Sequence, residues 1–511
     1  MRDIFRATPN RTEVTLLMDE IDQSKVTLLV LDVFNYALTT KLASWDDVHL
    51  FVGHALGRLE PALAKPYLSI RSQAASVAKC EALEDGTGIY QIPHLIRAIS
   101  GLIGNAGFDP DLGRQAIMAE LEYEQIMSTP SASATALVAK AFDDRLPVAF
   151  IADTHLPHDL VAKMLHAAGL PSQQLVVSSH EGCGNRNGEL LMRLIDKAHV
   201  DPSEVGYVAP SSVGHQPSDQ TGARLLVPAF GPNATSAMSI DLRENRTPMD
   251  SLTLRLASDK LAGTGQQEPT WSEVHDAAVG CLMVGFGSWL GCLVDEHEPD
   301  SIVFHGTMGH KLHQVMLELR PNISPLLMHA FPASSGPTTV RMVDQFIAST
   351  RLAPTDRVIV VGTSLDGSDH QSLASMLTQF CTATPPIMAT LLDDQTNHRS
   401  CPTRSWSDQC REQSPLARLD HHQLASLVST AFQPPGDVDT GPTKGSGTDL
   451  DPICAFAREM ANWMGIAPPH VSCALMEPVA RLLANPPTGD ESPLATVFGG
   501  GESIRTAFEL V

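Results

Sequence analysis

A carboxylate that closes an apolar strand is placed to act as a nucleophile or a metal ligand, because open α/β sheets gather their ligand sites at the carboxyl ends of parallel strands. The stretch VTLLVLDVFNYAL, Val26 to Leu38, has that form: an apolar run, a single aspartate, Asp32, and a polar step at Asn35 and Tyr36. A continuous apolar run bounded by polar residues reads as a strand buried on both faces. The same aspartate could equally serve as a cap on the turn that follows the strand.

Other stretches carry reactive types with less support. In HGTMGHKLH, His305, His310 and His313 have the residue type for zinc, but a zinc site needs three or four converging ligands and a second shell, and spacing supplies neither. FGGGES near Phe498 follows no buried strand and lacks the Lys-Ser/Thr ending of a phosphate loop, so a surface turn is expected. The histidines of Asp420–His422 lie in a polar helical stretch and read as solvated. Ser405 and Cys410 in SWSDQC have no nameable base. The Glu-rich ELEYE at Glu120 reads as a solvated helix face with Leu121 turned inward.

The elements that must position Asp32 alternate. From Val26 strands and helices follow one another, the pattern of a mainly parallel sheet. The alternation is interrupted at about 40–140 by helical segments, PYLSIRSQAASVAKCEAL, IPHLIRAISGLIG and GRQAIMAELEYEQIM, which read as a helical insertion after the first strand. It resumes with LPVAFIAD, QQLVVSS and VGYVAP, each followed or preceded by a helical pattern. The expected division is an N-terminal extension at 1–24, an α/β core at 25–240 carrying the insertion, a second α/β region at 245–432 with strands DSIVFHG and DRVIVVGTS, a Pro/Gly/Thr/Asp-rich linker at 433–450, and a helical segment at 451–511.

With 511 residues, 43% of them apolar, the chain is long enough for two or more cores. Acidic residues exceed basic ones by 58 − 35 = 23, without a basic stripe, which excludes nucleic acid or anionic lipid as an expected main partner. Nine cysteines without framework spacing fit reduced thiols, and the N-terminal residues show no apolar leader, so a cytoplasmic protein is expected. The stretch AAVGCLMVGFGSWLGCLV, Ala277 to Val294, is long enough to be a membrane span, but its four glycines and the flanking Asp295 and Glu296 suit a buried helix packed closely on a neighbour, and no span is expected.

Four motifs stand in order along the first half. LDVFNYAL at Leu31 resembles FDIFDTLL, FIADTHLP at Phe150 resembles FISDMYLP, SSHEGCGNRNGEL at Ser178 resembles an SSE motif with a following lysine, and VAPSSVGHQPSDQTGA at Val208 resembles GDN followed by SD…GA. In these the chain resembles the haloacid-dehalogenase (HAD) superfamily, and in particular the large HAD-like proteins associated with bacterial surface-polysaccharide biosynthesis. The likeness runs from Lys25 to Phe230 and more loosely to Gln379. It implies a HAD-like doubly wound parallel sheet with an inserted helical cap.

The chemistry that the resemblance implies uses an aspartate that attacks phosphorus, Mg²⁺ to neutralise charge, and a hydroxyl and a lysine on the phosphoryl oxygens. Matched by position, Asp32 keeps the nucleophile, while Tyr36 replaces the threonine, Ala152 the serine, Asn185 the lysine and Pro210 the leading aspartate of the last motif. Asp219 holds the trailing aspartate's place beyond an apparent insertion at Gly214 and His215, and Arg186 adjoins the missing lysine. Mg²⁺ on Asp32 and Asp219 would therefore be weak or absent, Arg186 is the candidate phosphate contact, and Tyr36 is expected to crowd the cleft. In the second half, VFHGTMGH and VVGTSLDG lack the aspartates that relatives carry at FLARDG and VDIGW. The expected function is that of a catalytically impaired homologue which binds a partner protein or a phosphorylated small molecule. Alternatives are an active phosphohydrolase using Asp32 and a structural subunit of a larger assembly.

Overall fold

The computed structural model describes residues 11–64, 66–86, 88–228, 247–262, 271–320, 323–324, 327–331, 338–362, 368–382, 384–390 and 403–405, with 454, 457, 458 and 460. FGGGES, Asp420–His422, Cys410, the segment 433–450 and most of 451–511 lie outside the described residues. The chain divides into two compact units, one of residues 1–239 and 262–266, the other of 240–261 and 267–511.

In the first unit, α1 (Arg11–Ser24) leads into β1 (Leu28–Asp32), one wide helical turn (Val33–Ala37) and the short β2 (Leu38–Thr40). Four helices follow: α2 (Val48–Gly57), α3 (Tyr67–Glu84), α4 (Ile92–Asn105) and α5 (Asp111–Met127), and the last three coincide with the helical segments expected between the first two core strands. β3 (Ser128–Pro130) returns antiparallel to β2, pairing Leu38 with Pro130 and Thr40 with Ser128, so both crossings of the cap run through one two-stranded ribbon. The chain continues through α6 (Ala132–Asp143), β4 (Val148–Ala152), α7 (His158–Ala167), β5 (Leu175–Val177), the single turn α8 (Ser178–Glu181), α9 (Glu189–Ala198), β6 (Val205–Val208), α10 (Ser211–Thr221) and β7 (Arg224–Leu226).

The five core strands stand in the order β5-β4-β1-β6-β7, and every neighbouring pair is parallel. The carboxyl ends of β1, β4, β5 and β6 therefore meet at one edge. This is the doubly wound α/β sheet with a cap inserted after the first strand that the motifs imply. Side chains alternate across β1: Leu29 and Leu31 join the apolar layer under α1, α6 and α7, while Leu28 and Val30 join the layer containing Leu190, Leu194 and Tyr207. Asp32 has the parity of Val30 and so opens onto the Tyr207 face.

The second unit holds α11 (Pro248–Ala262), α12 (Trp271–His297), β8 (Ser301–His305), α13 (Gly306–Leu319), β9 (Met328–Ala330), α14 (Val340–Thr350), β10 (Val358–Gly362), α15 (Ser368–Phe380), β11 (Ile387–Thr390) and β12 (Thr403–Ser405). Its strands form a second parallel sheet in the order β12-β11-β10-β8-β9. Val279–His297 of α12 is the one helix among the described residues long and apolar enough to cross a membrane, and 78% of that window is buried within the protein. Its glycines admit α13: a β-carbon at Gly287 would stand 2.9 Å from Leu319, and one at Gly291 2.6 Å from the Arg320 guanidinium.

Candidate functional site at the carboxyl edge of the first sheet

Asp32 is 3% exposed, and each of its oxygens is already engaged. Oδ1 accepts from the Asn35 backbone N–H at 2.9 Å and from Asn35 Nδ2 at 3.0 Å, which makes Asp32 the cap of the turn Val33–Ala37. Oδ2 accepts from the Tyr207 hydroxyl at 3.0 Å. Tyr207 pairs in register with Val30 on the adjacent strand, and its ring spans one more residue along the same face to reach the carboxylate. The phenol in turn accepts from Asn185 Nδ2 at 3.0 Å, and the Asn185 backbone N–H donates to Asp153 Oδ2 at 2.9 Å. Asn185 Oδ1 accepts from Leu191 N–H in α9, which fixes the amide's orientation.

Asp32, Tyr207, Asn185 and Asp153 thus form one chain of hydrogen bonds in which every donor is neutral. Burial raises the Asp32 carboxyl above the usual carboxylate range; the Asn35 and Tyr207 donors oppose the rise, and the charge of Asp153 adds to it. The Tyr207 hydroxyl is pushed above the ordinary phenol range by burial and by Asp32. Asn185, at the position where the motif resemblance implies a lysine, supplies hydrogen bonds without a charge.

The remaining sequence-derived candidates do not join this chain. Asp219 is exposed on α10, eight residues past its first residue and so about 12 Å further along its axis. Arg186 is exposed beside Asn185, and no ion pair of it is found among the described residues. Tyr36 is fully buried in the apolar layer with Leu29, Leu31 and Phe150, which corrects the expectation that its ring crowds the cleft. The helical turn buries Tyr36 on one side together with Val33 and Ala37, and Tyr207, from another strand, bonds the carboxylate instead. Pro210 stands at the N-terminus of α10. Ala152 is buried at the end of β4, and Ser178, two strands from Asp32, exchanges hydrogen bonds with the Thr154 backbone at 2.7 and 2.8 Å.

This donor set does not fit Mg²⁺, which takes oxygen ligands, commonly one or two carboxylates with waters and phosphate. Here Asp32 is buried among neutral donors with its charge disfavoured, and Asp219, the second carboxylate expected from the sequence, faces solvent on α10. Among the described residues no group of three His, Cys, Asp or Glu is placed to hold a metal ion. In the second unit His305 is buried at the end of β8, 3.3 Å from the Thr338 hydroxyl, and His313 packs on Phe304; the His310 side chain lies outside the described residues.

A second polar cluster, on the cap side of the same edge, was not foreseen. The ELEYE stretch is not a solvated face: Glu120 is 1% exposed and Glu124 8%, while Leu121 packs partly against the core. Glu120 receives a two-pronged bond from Arg71, with both nitrogen–oxygen distances 2.7 Å. His155, just past β4, approaches Glu120 Oε1 at 3.2 Å, and His49 of α2 stands 3.7 Å from Oε2. Tyr90 stacks on His155 at 5.4 Å. Burial disfavours the Glu120 charge, yet Arg71, His155 and His49 together hold its carboxyl well below the usual range. The one signal in the sequence is the four-residue spacing of two glutamates on the helix face shared with the buried Ala116, Ile117 and Met127.

No protein-family model matches the chain, and no curated protein matches it in sequence. Over 39% of its length it is similar in structure to L-2-haloacid dehalogenase from Xanthobacter autotrophicus, with 16% identity, a TM-score of 0.28 and 76% of that chain covered. A haloacid dehalogenase-like hydrolase from Bacteroides fragilis is similar over the same 39%, with 13% identity, a TM-score of 0.27 and 86% of its chain covered. So is a predicted phosphoglycolate phosphatase from Haemophilus somnus, at 12% identity and a TM-score of 0.28, with 84% of that chain covered.

Proposed function

We propose that this chain is a catalytically impaired HAD-like protein of the cytoplasm that acts by binding a partner protein or a phosphorylated ligand. The observation that carries the reading is the neutral hold on Asp32: a carboxylate nucleophile must be ionised, yet burial disfavours the charge of this carboxyl and its hydrogen-bond donors, Asn35 and Tyr207, carry none to offset it. Loss of one oriented electrostatic group in an active site commonly costs about 10² to 10³ in rate. Here the positions of threonine, serine, lysine and leading aspartate are all changed. The proposed setting in surface-polysaccharide or related biosynthesis, and the absence of nucleic acid or membrane partners, rest on the motif resemblance and on the net charge of −23.

The rival reading, an active phosphohydrolase, draws on Asp153, which stands exposed at the end of β4 near enough for its charge to act on Asp32. The third, a structural subunit, has no feature of its own in its favour. Turnover of generic phosphate esters with Mg²⁺ is expected to be negligible, and calorimetry with Mg²⁺ and beryllofluoride is expected to show binding no tighter than about millimolar, given the few free carboxylates. Robust hydrolysis or micromolar binding that vanishes in Asp32→Asn would overturn the reading in favour of the rival.

A further inference from the structure

Two carboxylates one helical turn apart on the buried face of α5 share a single arginine. Glu120 takes both prongs of Arg71, and nothing equivalent remains for Glu124. Glu124 Oε2 is fully buried and has no hydrogen-bond partner among the described residues. A neutral acid is far cheaper to leave unpaired in a protein interior than a carboxylate. The surrounding charges point the same way. On α5 itself Glu120 is ionised, and Asp46, just before α2, adds a second negative charge. Against them stand Arg71 of α3, already committed, and His49 of α2 and His155 of the core, both directed at Glu120. Tyr67 of α3 is neutral, its phenol held above the ordinary range by burial and by Glu120. On α4, His94 is bonded to Asp85 and Arg97 to Glu81, and on α7 His158 pairs with its neighbour Asp159. Burial and Glu120 push the Glu124 carboxyl up to about 8.

The same helix face holds the cap on the core. His155 is a core residue and Glu120 a cap residue, and their 3.2 Å contact is joined by the Tyr90–His155 stack and by Gln91 Nε2 donating to the Ser179 carbonyl at 2.8 Å. Hydrating Glu124 requires the last turns of α5 to leave their packing, and Glu120 moves with them. We propose that the Glu120–Glu124 pair is a proton-dependent latch: with Glu124 protonated the cap stays closed on the core through His155, and loss of that proton releases it. The inference is independent of what the Asp32 cleft binds.

The sign follows from linkage. The closed state holds the Glu124 proton more tightly than an open state in which the carboxyl has its ordinary value near 4.5, so closure is strongest at low pH and weakens as pH rises towards about 8. Between pH 6 and pH 8 those two values give a rise in the cap-opening constant of roughly 50-fold. Hydrogen exchange on the full chain reads this, once corrected for the intrinsic pH dependence of exchange. Amides of 119–127 and 153–156 are expected to lose protection together from pH 6 to pH 8 in the natural protein, with β1 and β6 unchanged. In Glu124→Gln, or in Glu124→Met if the glutamine variant is unstable, the loss is expected to disappear. In His155→Ala, residues 119–127 are expected to keep their response while 153–156 no longer follow it. A natural protein whose cap amides show no corrected pH response, or a Glu124 variant that keeps the full response, overturns the latch.

Discussion

At the scale of single residues, the governing fact is that Asp32 is satisfied by groups that carry no charge. Removing the phenol oxygen tests how much the arrangement is worth. Tyr207→Phe leaves Oδ2 buried without its donor and Asn185 Nδ2 without its acceptor, and a buried polar group left unpaired costs about 1–3 kcal/mol. Chemical denaturation is expected to show a loss in that range, and the loss is expected to shrink in the Asp32→Asn background, where no charge remains to be held. Equal losses in both backgrounds would show that the phenol contributes packing alone. Because burial raises the Asp32 carboxyl, its contribution to stability is greatest below the unfolded value and declines as pH rises through the shifted one. Glu120 has the opposite sign: its depressed carboxyl stabilises above the unfolded value and loses that contribution in acid.

At the scale of elements, the cap depends on how closely α4 and α5 approach. A β-carbon at Gly113 would lie 2.7 Å from the Ser100 backbone nitrogen and 2.8 Å from its α-carbon, and a main chain cannot step aside as a side chain can. Gly113→Ala is expected to destabilise the cap by about 1–3 kcal/mol through overpacking, despite alanine's better helix propensity. Hydrogen exchange would then rise in α4 and α5 while the five-stranded sheet keeps its protection; a uniform rise would mean that cap and sheet unfold as one. The cap helices themselves were readable, since their apolar positions recur at helical spacing and glycine and proline mark their ends. The ribbon of β2 and β3 was not, because two three-residue strands carry no period.

At the scale of the whole molecule, a formal charge of −23 opposes compaction, and the ions of about 0.15 M salt screen beyond roughly 8 Å. The melting temperature at neutral pH is expected to rise when salt is added from low ionic strength; a fall would show that the ion pairs outweigh the general repulsion. The first parallel sheet and two strands of the second region were legible in advance because buried strands such as Leu28–Asp32 and Val358–Gly362 are continuous apolar runs, whereas β9, β11 and β12 were not foreseen and the second sheet's parallel order emerges only in the structure. Asp32 was legible as well, as a polar end to such a run. Its partners were not: Tyr207 reads as one more strand residue, and Asn185 as a loop asparagine, until the parallel pairing of β1 with β6 brings them together. Tyr36 was misplaced for the same reason, since motif position does not say which face of a turn a ring takes.

The ribbon at the base of the cap has a consequence for how such a molecule can change over time. Thr40 lies opposite Ser128, and the Lys41 amide still bonds the Met127 carbonyl at 2.8 Å, so the chain leaves and re-enters the sheet domain at adjacent points. Seen from the sheet, everything between Lys41 and Met127 has the end-to-end span of a hairpin turn. A module joined in this way can be lengthened, exchanged or removed without moving any core strand, so the cap's surface can vary while the geometry around Asp32 stays the same.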